Sequence, residues 1–238
     1  MTSFHPRGVN HLAIATCQMK AQLTFFAEVL GCPTRALYWM HGVPDALHGF
    51  VELGPDSYLA FVQHPDNRPE PVWGVSHAGT SGSPVTAGAM QHVALHVDTL
   101  DEVLAMRDRI RANGVQVWGP IDHGFCQSMY FAGPEGLSLE ICCGSSIPAE
   151  QWIDPEVRQL CGISAEEMAR LVDPELFHRP AAAVPQPATD PTRPRMRYPD
   201  AVYEPMMTMP DSEVWERFSQ PTPPVPPRPG THRAATGT

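Results

Sequence analysis

Apolar positions along residues 9–143 fall into one succession of elements, written twice. Val9–Thr16 alternates and predicts a strand. Gln18–Leu30 follows as a helix, with Leu23, Phe26 and Leu30 on one face and Gly31 at the position that caps a helix C-terminus. Arg35–Met40, Gly49–Leu53 and Tyr58–Val62 read as strands. The succession then restarts: Met90–Val97 as a strand, Leu100–Asn113 as a helix stopped by Gly114, then strands at Val115–Trp118, Ser128–Phe131 and Leu137–Ile141. Each copy is βαβββ.

The words repeat as well as the pattern. Asn10-His11-Leu12-Ala13-Ile14 returns 81 residues later as Gln91-His92-Val93-Ala94-Leu95, and Gly54-Pro55-Asp56 as Gly133-Pro134-Glu135. Repetition at a fixed period marks a duplicated structural unit. A lone four-stranded module leaves one sheet face uncovered, so two modules side by side are expected to curl around a common cavity. The fold class expected is α+β: two tandem βαβββ modules (about 9–63 and 90–143) forming a half-open barrel around a metal cavity. Together they make a domain over 1–146. Residues 64–89, rich in Pro, Gly and Ser, form a long connection that is either mobile or functional.

Beyond it, 147–177 predicts a short helical extension, with start signals at Asp154-Pro155 and Ser164 for helices over Asp154–Leu160 and Ser164–Leu171. Residues 178–238 are dominated by proline and cannot bury a core of their own. Tyr198, Tyr203, Met206, Met207, Trp215 and Phe218 are nevertheless apolar anchors there. Part of this tail is expected to lie against the domain or a partner subunit in a homodimer, with the last stretch free.

The net charge of -10 over 238 residues argues against nucleic acid and anionic membranes as partners. The start of the chain lacks the apolar run of a signal peptide, and no apolar stretch is long enough to span a membrane, so a cytoplasmic protein is expected. The six cysteines form no C-x-x-C pair and are read as reduced thiols.

The chemistry lies in the repeat. His11 and His92 hold matching places on the first strands, and Glu140 lies on the last strand of copy two. Two histidines and one carboxylate are the ligand set of a non-haem Fe(II) site with open positions; Mn, Zn, Ni or Co also suit it. Aligning the turns puts Phe61, or with a one-residue slip Ala60, opposite Glu140; neither ligates, so the site stops at three. His96 shares the face of His92 farther along, and His5, His77, His178 and His232 are read as solvated.

Over Val9 to Cys143 these motifs resemble the vicinal oxygen chelate superfamily, which includes glyoxalase I, fosfomycin-resistance and bleomycin-binding proteins and type I extradiol dioxygenases. The run from His123 through Tyr130, Gly133, Pro134 and Gly136 to Glu140 is similar to the extradiol signature, departing from it at Gly133. The resemblance implies that His123 hydrogen-bonds or protonates an oxygen intermediate, and that Tyr130 holds a substrate oxygen. The family's further acid/base histidine has no counterpart at Asp56-Ser57-Tyr58, which leaves His48 or His41 as substitutes. Trp39, Phe50, Phe61 and Phe125 are the apolar candidates for lining the cavity. The implied activity is an Fe(II)-dependent ring-cleaving dioxygenase taking O2 and a catechol-like aromatic, in aromatic compound catabolism. The alternatives are a metal-dependent isomerase, epimerase or lyase with Glu52 as base, and a resistance protein that binds a small molecule without chemistry.

Overall fold

The computed structural model describes residues 5–144 and 146–226. The chain divides into two compact units, Met1–Phe177 and His178–Thr238.

The first unit carries the duplicated pattern as expected. Copy one comprises β1 (His11–Ala15), α1 (Met19–Thr24, continuing as a π-helix over Phe25–Leu30), β2 (Thr34–Trp39), β3 (Leu47–Gly54) and β4 (Ser57–Gln63). Copy two comprises β5 (Val93–His96), α2 (Leu100–Ala112), β6 (Val117–Asp122), β7 (Gln127–Ala132) and β8 (Ser138–Cys143). Each makes a four-stranded mixed sheet, β1-β4-β3-β2 and β5-β8-β7-β6. The first strand of each copy runs parallel to the last, and the remaining pairs are antiparallel. Gly31 ends the first helical stretch at φ 81°, the left-handed cap a side chain resists. Thr99 and Glu102 close a reciprocal capping box on α2.

Strand parity decides what is core. Leu12 and Ile14 on β1, Leu59 and Phe61 on β4, Leu95 on β5, and Leu139 and Ile141 on β8 point to the helix side. There they join Phe26, Val103 and Ile110 in one apolar cluster drawn from both copies. Phe26 and Phe61, both fully buried, meet with ring centroids 5.3 Å apart. Polar clasps bind the copies together. Arg109 of α2 donates to Val29 O at 2.9 Å and to Glu28 O at 3.0 Å. In return Glu135, in the turn before β8, accepts from Thr16 Oγ1, from Cys17 N at 2.7 Å and from Gln22 Nε2 at 2.8 Å. Gln22 and Thr16 are buried, so this carboxylate satisfies donors that would otherwise be orphaned.

The copies are thus joined through their helix-covered sides. Their other faces, which carry His11, Ala13 and Ala15 on one sheet and Ala94 and Glu140 on the other, lie on the far sides of the shared core. Among the described residues the two sheets do not close into one barrel.

The extension folds as α3 (Ala149–Trp152), α4 (Pro155–Leu160) and α5 (Ala165–Val172). Asp154 caps α4 by accepting from Glu156 N and Val157 N, and Ser164 with Glu167 forms a capping box on α5. In the second unit two helices appear that proline content obscured, α6 (Asp200–Thr208) and α7 (Asp211–Phe218). Each follows a proline, Pro199 or Pro210, at its N-terminal cap. Proline is tolerated at that end, where no intrahelical N–H bond is lost. Arg195 lies over the Tyr203 ring at 4.2 Å and bonds Asp200 at 2.7 Å. Residues 227–238, which include His232 and the stretch expected to be free, lie outside the described residues. No helix among the described residues is long and apolar enough to cross a membrane.

Candidate active site

The open face of the second sheet gathers the chemistry. Pairing sets Glu140 on β8 between Ala94 on β5 and Tyr130 on β7. Ala94 is small, so the imidazole at the head of β5 can reach over it: His92 Nε2 lies 3.0 Å from Glu140 Oε2. On the other side of Glu140, Tyr130 Oη and His123 Nε2 share a hydrogen bond of 2.9 Å. These four side chains line one cleft of about 740 Å³ together with Phe125 and Trp152.

The state of His92 follows from its neighbour. The Gln91 amide nitrogen donates to Thr80 O at 2.9 Å and to Ser83 O at 3.3 Å. Those two carbonyls fix which way the amide points and turn Oε1 toward His92 Nδ1, its close contact. Nδ1 therefore carries the hydrogen and donates it, leaving the Nε2 lone pair toward Glu140. A lone pair and a carboxylate oxygen at this separation repel unless positive charge lies between them. A divalent cation, or a proton on Nε2, meets that need. His92 and Glu140 thus fit a metal as two of its ligands, with an oriented tautomer and a buried carboxylate.

His11 Nδ1 likewise contacts an amide oxygen, Asn10 Oδ1, at 2.9 Å. It sits on the other sheet, however. Among the described residues no three His, Cys, Asp or Glu side chains converge as a metal site. The expectation that one chain would bring His11, His92 and Glu140 around a common cavity is corrected: the copies pack through their helices, which turns the two histidine-bearing faces apart.

His11 instead belongs to an aromatic and imidazole surface on the first sheet. Its ring meets Phe50 edge-on at 5.7 Å; Phe50 lies 4.4 Å from His48 and 6.3 Å from Tyr38. Tyr38 also packs on His41 at 5.2 Å. Burial, then the charges of His11 and His41, hold the His48 pKa below its ordinary value, so it stays neutral. Its Nε2 is buried without a hydrogen-bond partner among the described residues.

The register resolves the counterpart of Glu140. Ala13 pairs with Ala60 as Ala94 pairs with Glu140, so Ala60 occupies the equivalent place. Phe61 therefore leaves the list of cavity-lining candidates: strand alternation turns it to the core, against Phe26. Trp39 is 67 % exposed and pairs with Leu47, one residue out of step with the Tyr38–His48 pair. Phe125 lies where expected, in the cleft with Glu140. Glu52 is ion-paired with Arg35.

Burial, reinforced by the Glu140 carboxylate, raises the Tyr130 phenol above its ordinary pKa, so it remains a proton donor at neutral pH. The same two causes push the Cys142 thiol up to about 11. Three residues escaped sequence reasoning. The signal for Gln91 is that an amide residue, Asn10 or Gln91, precedes each motif histidine. Trp118, opposite Tyr130 with rings 5.8 Å apart, was read as plain strand. Trp152 lies beyond the repeat and carried no periodic signal.

Over 55 residues the chain is 33 % identical to biphenyl-2,3-diol 1,2-dioxygenase 2 of Rhodococcus globerulus, a match covering 23 % of this chain and 29 % of that protein. A glyoxalase/bleomycin resistance protein/dioxygenase domain from Frankia sp. EAN1pec superposes with a TM-score of 0.48 at 12 % identity, covering 59 % of this chain and 100 % of the other. A fosfomycin resistance protein from Listeria monocytogenes, solved with Mn(II), gives 0.41 at 13 % identity, covering 59 % and 95 %. Residues 8–141, more than half the sequence, match the family pattern itself, and the chain belongs to the Glyoxalase/Bleomycin resistance protein/Dioxygenase superfamily.

Proposed function

We propose that this protein is an Fe(II)-dependent, extradiol-type dioxygenase that opens the ring of a catechol-like aromatic. The observation that carries the reading is one cleft in which the His92–Glu140 pair, at 3.0 Å, lies beside the Tyr130–His123 pair, at 2.9 Å. The first pair is a partial ligand set with an oriented imidazole. The second is a phenol and an imidazole in proton contact, placed to serve substrate oxygens.

The third ligand is His11 of a second copy. Its Nδ1 contacts an amide oxygen as that of His92 does, and among the described residues it joins no cluster of three ligating side chains. A homodimer that sets the first open face of one chain over the second open face of another would assemble two sites. Bound Fe(II) would supply a template for both vicinal oxygens and for O2, and a path for electrons between them; Mn, Zn, Ni or Co fit the same ligands.

The chain's own groups do the rest. Tyr130, held protonated, donates to a substrate oxygen. His123, bonded to Tyr130 Oη through Nε2, takes or returns that proton. The carbon–carbon bond beside the diol breaks and both atoms of O2 enter the product, so no reductant is consumed. An isomerase reading lacks its base, because Ala60 stands where a second carboxylate would and Glu52 is bound to Arg35.

Oxygen uptake by Fe(II)-supplied protein over a panel of catechols tests this directly. Uptake with appearance of a ring-opened chromophore is expected. Bound Fe(II) with no uptake on any catechol overturns the reading.

A further inference from the structure

The family pattern ends at residue 141, yet one wall of the cleft comes from beyond it. Trp152, the last residue of α3, folds back onto the loop between β6 and β7. Its indole meets the Phe125 ring edge-to-face, with centroids 4.9 Å apart and planes at 83°. The approach depends on Gly124, whose φ is +86°; a Cβ there would stand 2.9 Å from the indole. The backbone thus makes room for the ring. Despite this contact Trp152 remains 45 % exposed and Ile147 60 %, and both line the cleft that holds His92 and Glu140. Apolar surface left open inside a cleft, facing a few convergent polar groups, is the composition of a ligand site.

We infer that Trp152 is a specificity-determining residue: with Phe125 it forms a subsite for a second ring, or a similarly flat apolar substituent, on an aromatic diol. The inference rests on the proposed reading of the cleft. The cleft is lined by both polar groups and aromatic faces, so the favoured ligand has two parts, vicinal oxygens and a flat hydrocarbon body. A single-ring diol would engage the polar groups and leave the indole wet. Aromatic rings prefer edge-to-face or offset contact, which the perpendicular Phe125–Trp152 corner offers to an incoming ring.

The test is calorimetric, on Fe(II)-supplied protein under argon, with unsubstituted catechol and a phenyl-substituted catechol as probes. Trp152→Ala should weaken the phenyl-substituted ligand about tenfold and leave catechol nearly unchanged. Trp152→Phe should restore most of the loss, and all forms should elute alike by size. Equal losses for both ligands, or no loss for either, overturn the inference even where oxygen uptake is normal. Discrimination by Trp152 without uptake would sink the dioxygenase reading and leave the subsite standing. Failure of the wild-type protein to bind either ligand overturns the subsite's ligand class.

Discussion

His92 Nε2, just before β5, and Glu140 Oε2, on the parallel neighbour β8, stand 3.0 Å apart, with the Gln91 amide locking the far side of the imidazole. The two carbonyls that lock Gln91 come from residues 80 and 83, inside the long connection between the copies. That connection is therefore part of the site.

Replacing Gln91 should loosen the tautomer and ring angle of His92 without touching its ligating atom. Gln91→Ala is expected to weaken divalent metal binding about 10- to 100-fold, the usual cost of losing such a partner. Competition against a fluorescent chelator reads this, and unchanged affinity would dismiss the amide as a bystander.

Mixed dimers distinguish a shared site from one built within a chain. His11→Ala and His92→Ala variants should each be inactive alone. Co-refolded in equal amounts, they should recover about a quarter of wild-type metal sites, because half the dimers are mixed and each holds one intact set. Metal content per chain is the measurement; no recovery means that His11 does not act across chains.

Phe61 separates core from cavity. Phe61→Ala should cost about 3–5 kcal/mol of stability, as for other large buried aromatics. Ligand affinity in the surviving folded fraction should barely move. Urea melts and a binding isotherm check the two halves, and a pure affinity loss would return Phe61 to the cavity.

Alkaline stability should follow Cys32. Burial raises its thiol pKa, offset in part by Arg109. The folded state holds the proton more tightly than the unfolded chain, so the contribution is full below the unfolded value of about 8.5. It is lost as pH rises through the folded value. Denaturation midpoints of the wild-type protein should fall more steeply between neutral and alkaline pH than those of Cys32→Ala. Parallel curves would contradict the assignment.

The duplicated architecture was legible because both periodicities, 3.6 in the helices and 2 in the strands, are written plainly in each copy. That Tyr130 lies beside Glu140 is legible from the turn joining their two strands, whereas the placing of His123 at the site rests on the resemblance to the extradiol signature. How the copies pack was not legible. That choice is made by Arg109 reaching two backbone carbonyls and by Glu135 gathering three donors, contacts with no periodic signature. The same alternation, read one residue out of step, sent Phe61 to the wrong face. A two-residue β-turn shifts register easily, and the pairing of Ala13 with Ala60 was needed to fix it.

Joining the copies through their helices has a consequence for how the molecule would be switched on. On the proposed dimer each chain would carry two dissimilar half-sites, so competence would depend on encounter. At protein levels below the dimer dissociation constant, turnover would climb with the square of concentration rather than in proportion to it. Abundance would then act as the control knob, with no effector needed.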